Sequence, residues 1–295
     1  MKNCFLLFIA LYLMTSHQFF SQISDYSPTY GPTKVSIPNS NSSVIIPDSF
    51  LFLESYDANQ LMREIGNSGM DISGLVMPSS EDADWFVYFK FNDLGYFKMG
   101  DVQEELEDID ILEEIKKNTE EQNKKRISSG FSSIDVIGYV EKLYLNKSNQ
   151  TLNFSIESIQ EGLSMVEHRS LYFGRKGLLL SGFVCSKEKY ENIKNASYPI
   201  RSTVNFDNNY RYADFNPDID KYAAVGIGTV LVGRQVAKSG WFTKLVKSLG
   251  KAIWAFIVGI FAAIWGFIKK IFGKKNSKID EPLITTTQNK NDTSI

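Results

Sequence analysis

The stretch Ala252 to Ile268 (AIWAFIVGIFAAIWGFI) constrains this chain more than any other, because seventeen consecutive residues carry no charge and lysines close it at Lys251, Lys269 and Lys270. As a helix it is about 25 Å long, the lower limit for crossing a bilayer. Lysine stems can lie along apolar surface with their ammonium groups in water, which extends the effective span to Leu249–Phe272. Three of the four tryptophans, Trp241, Trp254 and Trp265, fall in or beside it, as amphipathic rings do at the level of lipid headgroups. The preceding piece, Gly240 to Lys251, repeats Trp241, Phe242, Leu245, Val246 and Leu249 at helical spacing opposite Lys244, Lys247 and Lys251. That is a basic amphipathic helix suited to an anionic membrane surface. A transmembrane helix over 252–268 is therefore expected, with interfacial attachment or packing as an ordinary amphipathic helix as the alternatives.

The other end has the layout of a secretory signal peptide over 1–22: Lys2, an apolar run from Phe5 to Met14, then small and polar residues to Gln22. The apolar run is far short of a span. Cys4 precedes it, so no lipid anchor is expected there. With Cys4 and His17 removed, only Cys185 and His168 remain. One thiol makes no intrachain disulfide, and a single Cys and a single His fall short of a zinc site. No metal and no cofactor is expected. A nucleophile–base pair would have to use His168 itself, and a histidine at a strand edge or hydrogen-bonded in a core is the plainer expectation.

Charge divides the chain. Residues 221–279 hold eleven basic side chains and no acidic one, whereas 25–220 hold 31 acidic against 19 basic. The overall balance of 32 to 34 excludes a strongly basic nucleic-acid protein. An acidic body on a basic stem leads us to expect a lipid bilayer as one partner and an unknown envelope protein or polymer as another; if the signal is cleaved and 252–268 is the one span, the body is extracytoplasmic. The domain boundaries expected are 23–220 for that body, 221–251 for a basic connector and 269–295 for a polar, basic tail.

The body reads as mixed α and β, an α+β class with β in excess. Strands are predicted at Ser43–Ile46, Phe50–Glu54, Leu75–Met77, Asp84–Phe91, Asp135–Tyr144, Thr151–Ile159 and Leu178–Cys185, where aromatic and β-branched residues concentrate. The turn Asn92–Gly95 predicts a hairpin from WFVYFKF into Tyr96–Lys98. Helices are predicted at Asp57–Ile65, Asp108 to about Arg126, and Ser186–Asn195. The middle one is supported by Glu113 and Lys117, Glu120 and Lys124, and Glu121 and Lys125 at four-residue spacing.

Several patterns suggest chemistry without fixing it. Ten carboxylates between Asp101 and Glu121 are explained by a solvated helix face as well as by a cation site. Asp214, Asn216, Asp218 and Asp220 alternate as a calcium loop begins, but Ile219 stands where glycine is needed and Val225 where the closing glutamate belongs. A capped turn is the expectation there. Gly226 and Gly228 lack the third glycine of a dinucleotide loop and suit close helix packing better. Asp214, Asp218, Asp220, Arg175 and Arg211 remain as candidate ligand or ion contacts, with the two arginines expected first as ion-pair partners of the acidic body. Trp241, Trp254, Trp265, Lys251, Lys269 and Lys270 are the membrane-interface candidates.

Taken in order, Gly31-Pro32, the segment Phe50–Asn67 ending in IGN, WFV at Trp85, DLGYFK from Asp93, EEQNKKR ending at Arg126, IGY at Tyr139, GRKG at Gly174–Gly177 and YRYADFNPDIDKYAAVG from Tyr210 resemble an uncharacterised family of bacterial membrane-anchored proteins, domain of unknown function 2167. The resemblance covers roughly Gly31 to Lys275. It implies a signal peptide, an extracytoplasmic domain and a C-terminal anchor, and it supplies no activity and no catalytic residues. The expected function is a non-enzymatic binding or scaffolding module at the envelope. The alternative is a hydrolase of envelope polymers that uses two carboxylates, for which Glu54, Asp93, Asp214 and Asp220 are the groups to inspect.

Overall fold

Alternation along the strands sets the architecture. In the strand Phe50–Glu54, Leu51 and Leu53 enter one core cluster while Phe52 between them enters another, and Leu179 and Leu178 divide in the same way further along the chain. Both faces of the sheet are thus apolar, so each must be covered by another layer. The computed structural model describes residues 26–64, 71–80, 84–128 and 130–234.

Eleven strands occur among them: β1 (Thr29–Tyr30), β2 (Thr33–Ile37), β3 (Ser42–Ile46), β4 (Phe50–Glu54), β5 (Gly74–Pro78), β6 (Val87–Asn92), β7 (Asp135–Asn146), β8 (Thr151–Gln160), β9 (Leu163–Phe173), β10 (Leu178–Ser186) and β11 (Asn205–Phe206). Eight form one antiparallel sheet in the order β1-β4-β5-β6-β10-β9-β8-β7, and β11-β3-β2 form a second. The helices are α1 (Ser55–Glu64), α2 (Met99–Asp108), α3 (Ile111–Ser128), α4 (Tyr190–Arg201) and α5 (Ile227–Val232). One face of the large sheet meets α1 through Leu61 and Met62, and α2, α3 and α5 through Val102, Ile115 and Leu231. The opposite face meets the small sheet and α4 through Ile46, Phe206, Ile193 and Ile200. The mixed, β-rich body expected from the sequence is present.

Four local expectations are corrected. The hairpin after β6 does not form: β6 lies between β5 and β10, and Tyr96 makes a single parallel bridge to Tyr222. β9 was not foreseen, because its centre reads Glu167-His168-Arg169-Ser170, yet all four side chains are buried. The acidic lead before α3 is a helix of its own, α2, anchored by Val102. Finally, α4 begins after a short 3-10 turn and runs through Pro199 into its last turn, past Asn195 where the sequence pattern ended it.

The C-terminal end of the described body also differs from the connector expected over 221–251. Ile227, Leu231 and Val232 of α5 are fully buried, so the body extends beyond Asp220. This short helix is held at both ends. The Glu105 carboxylate of α2 accepts hydrogen bonds from the Ile227 and Gly228 amides at 2.9 and 3.1 Å, satisfying two of the donors a helix start leaves unpaired. A Cβ on Gly226 would stand 2.1 Å from that carboxylate, which is the close approach the glycines permit. At the other end the buried Asn118 amide donates to the Val232 carbonyl at 2.8 Å, and Arg234 pairs with Glu114 and Glu121 at 2.9 Å each. Cation and carboxamide thus lie where a helix presents its unpaired carbonyls.

Among the described residues no helix is long and apolar enough to cross a membrane. The predicted signal peptide, the amphipathic piece from Gly240 and the apolar stretch 252–268 lie outside them.

Candidate functional site

Three segments that carried the family resemblance meet at one place. The turn after β6 is bonded to the loop after β9 by the Gly95 amide donating to the Lys176 carbonyl, and to the segment before α5 by Tyr96 and Lys221. Tyr96 stacks on Phe215 with centroids 3.9 Å apart and on Tyr212 at 4.6 Å, and Lys98 lies over the Tyr222 ring at 4.2 Å. The charged candidates sit around this stack. Arg175 Nε donates to Asp220 Oδ2 at 2.7 Å and Arg175 Nη1 to the Asn209 carbonyl at 2.9 Å. The same Asp220 oxygen accepts the Asn216 amide at 2.7 Å. The Arg175 hydrogen bond holds the Asp220 carboxyl below its usual range, and the carboxylate in turn raises Arg175.

Of the remaining candidates, Asp214 accepts through its side chain, while Arg211 and Asp218 take part through their backbone amides. Asp214 Oδ2 accepts the Arg211 amide, and Asn216 Oδ1 accepts the amide of the exposed Asp218. Asp214, Asn216 and Asp220 therefore each accept one backbone amide as the chain turns. No group of three or more His, Cys, Asp or Glu placed to hold a metal ion occurs among the described residues. Glu54 and Asp93 are exposed, Asp214 is half-buried and bonded to the Arg211 amide, and the Asp220 side chain is 7% exposed and paired with Arg175. The four therefore do not supply two buried carboxyls: Asp220 alone is buried, and it is already paired. The six membrane-interface candidates lie outside the described residues.

The polar chemistry of the core sits on β9, where sequence reasoning found no strand. On one face Glu167 and Arg169, two residues apart and so on the same side, form a two-pronged pair with Nε–Oε1 and Nη2–Oε2 both 2.7 Å. Tyr88 donates to Glu167 Oε1 at 2.9 Å, passing over Gly182, where a Cβ would stand 2.5 Å from the phenol oxygen. Burial and the adjacent Glu167 raise the Tyr88 phenol far above its usual value.

On the opposite face His168 is buried beneath α4. Arg201 Nη1 lies 2.9 Å from His168 Nε2. A guanidinium can only donate, so Nε2 accepts and the proton resides on Nδ1. Nδ1–H then donates to Ser155 Oγ at 2.8 Å. Ser155 is 2.6 Å from the Tyr190 hydroxyl and 3.4 Å from Oε2 of Glu141, whose Oε1 pairs with Lys194. A Ser-His-Glu grouping is present, but its polarity is the reverse of a nucleophile–base pair, in which the imidazole accepts the serine proton. Burial, with Arg201 and then Lys194 adding, holds His168 well below its usual range, so it remains neutral. Arg201 is itself lowered by burial among neutral acceptors: Ser197 Oγ, the Lys194 carbonyl, Ser170 Oγ and the imidazole. The cluster joins α4 to the sheet. The lone histidine hydrogen-bonded in a core is what the sequence led us to expect, whereas its arginine partner, far along the chain, gave no local signal.

A cleft of about 500 Å³ opens on the surface between α2 with the start of α3 and strand β7 at the edge of the sheet. Half-buried Leu106, Ile109, Leu143 and Leu145 line it, and exposed Glu107 and Asp110 stand among them. Tyr139 faces the same space, its phenol pushed up to about 12 by burial first and the Asp110 charge second.

No curated protein matches the chain. Among solved structures, the solution structure of cyanobacterial PsbP (CyanoP) from Synechocystis sp. PCC 6803 is similar over 59% of this chain and 91% of that one, with 8% sequence identity and a TM-score of 0.39, a likeness too slight to assign the fold. Residues 29–262 match the model of the family described as a protein of unknown function, DUF2167, and the chain belongs to that family.

Proposed function

We propose that this protein is a non-enzymatic binding module held at a membrane by its C-terminal stem, with the folded body on the extracytoplasmic side. The observation that carries the reading is the way the polar groups of β9 satisfy one another. Glu167 is neutralised by Arg169, and His168 is neutral and donates to Ser155 when a hydrolase would need it to accept. The recess described above instead offers apolar surface and carboxylates, the makings of recognition. The uncharged stretch 252–268 with its flanking lysines supports the membrane location.

The test uses the full chain in its host envelope. Wild type should stay with membranes through an alkaline wash and lose its body to protease added from outside. Ile260→Lys, which places a charge at the middle of the stretch at about 3 kcal/mol by insertion scales, should release the protein. A fluorophosphonate probe should leave Ser155 unlabelled. Alkaline release of the wild type, protection of the body or labelling of Ser155 overturns the reading.

A further inference from the structure

The geometry points to the cleft between α2 and β7 as the docking site for a cationic amphipathic segment of another protein, apolar along one side and rich in lysine or arginine along the other. The proposal rests on the reading of the body as a binding module and names what that module takes. Its floor is aliphatic, from Leu106 and Ile109 on one wall and Leu143 and Leu145 on the other, and these side chains are left half-exposed. Its rim is acidic. Glu107 accepts only from the neutral Gln103 amide at 2.6 Å, and Asp110 only from the Glu113 backbone at 3.1 Å, in the contacts the structure gives them. Neither contact supplies a compensating cation, and no basic residue lines the cleft. From Asp101 to Ile115 the chain carries no lysine or arginine at all. An apolar floor removes leucine-like side chains from water, while carboxylates at the rim attract cations and repel acidic partners. Anionic lipid headgroups and acidic polymers are therefore disfavoured. β7 is the last strand of the sheet and Tyr144 on it is 63% exposed, so a partner reaches both walls without displacing any described element.

The test uses full-length protein in phosphatidylcholine nanodiscs and a photoreactive peptide of about eighteen residues, built from leucine and lysine with the leucines at helical spacing. Cross-links should map to the segments holding Leu106, Tyr139 and Leu143. The double variant Glu107→Gln, Asp110→Asn should lose about fivefold in cross-linking, the scale of two exposed charge pairs. The matched variant Glu188→Gln, Glu191→Gln, at and before the start of α4, should lose nothing, and a leucine–glutamate peptide of the same length and leucine spacing should not cross-link. Tyr144→Ser, at an exposed position, should weaken cross-linking without altering thermal unfolding. Cross-links spread over the body, or an equal loss in both double variants, overturn the proposal. Failure here with the stem still holding the protein in alkali removes the ligand class and leaves the membrane-bound module. Alkaline release with cross-links confined to the cleft removes the anchor and leaves the docking site.

Discussion

The two faces of β9 solve one problem in different ways. Both bury an arginine, Arg169 on one side and Arg201 on the other, at nearly the same low exposure. Arg169 has a carboxylate two residues away on its own strand, and the pair is complete before any other element arrives. Arg201 comes from α4 and meets only neutral acceptors, with the imidazole of His168 chief among them. The first arrangement is local in sequence and electrically closed. The second is assembled from β8, β9 and α4, and it depends on a histidine remaining unprotonated. An ion pair tolerates acid until its carboxylate titrates, whereas a guanidinium held by imidazole is lost once that imidazole takes a proton.

Arg169→Met should give the largest effect, about 3–5 kcal/mol in urea unfolding, because it strands the buried Glu167 charge. Adding Glu167→Leu should recover most of that loss, and failure to recover would mean the pair contributes more than mutual neutralisation. Next comes Arg201→Met, expected to cost about 2–3 kcal/mol through the opened polar contacts of Ser197 and Ser170. It should also raise the His168 pKa, read from imidazole nitrogen shifts in NMR.

The third comparison uses pH. Because the folded imidazole titrates well below the usual 6.5, the unfolded chain binds more protons than the folded one as pH falls through that value. Stability is then flat above it and declines below it by up to about 1.4 kcal/mol per pH unit. Asp220 and Glu157, both lowered in the folded state, contribute their own decline only at more acid pH. His168→Asn should abolish the slope between pH 6.5 and 5, and a slope that persists would place the titrating group elsewhere. The smallest effect is Tyr88→Phe, about 1 kcal/mol for the hydrogen bond to Glu167.

Where the sequence was legible, one residue type dominated a segment. β4, β6 and β10 are apolar or aromatic runs and β8 alternates polar with apolar residues, so their faces follow from alternation. β9 was illegible because its centre is charged, and a buried charge is recognisable only with its partner in view: Glu167 and Arg169 for each other, Tyr88 from β6, Arg201 from α4. α5 was hidden differently. Its glycines suit close packing, as the sequence suggests, but the group they admit, Glu105, lies more than a hundred residues earlier. The aspartates of 214–220 read as a capped turn, yet nothing local announced that Arg175 would hold Asp220. The cleft was least legible of all, since its two walls lie on α2 with the start of α3 and on β7, and neither wall is a recess alone.

The way α5 is fastened bears on mechanics. A pull on the chain enters the described body at Arg234. It loads the ion pairs to Glu114 and Glu121 first, then the Asn118 bond to Val232, and behind them a helix whose apolar side is sunk among Phe154, Leu152 and Ile115. Tension arriving at that turn is therefore shared with α3 and with β8, next to the edge strand of the large sheet, and the body would resist being drawn out from its last described turn.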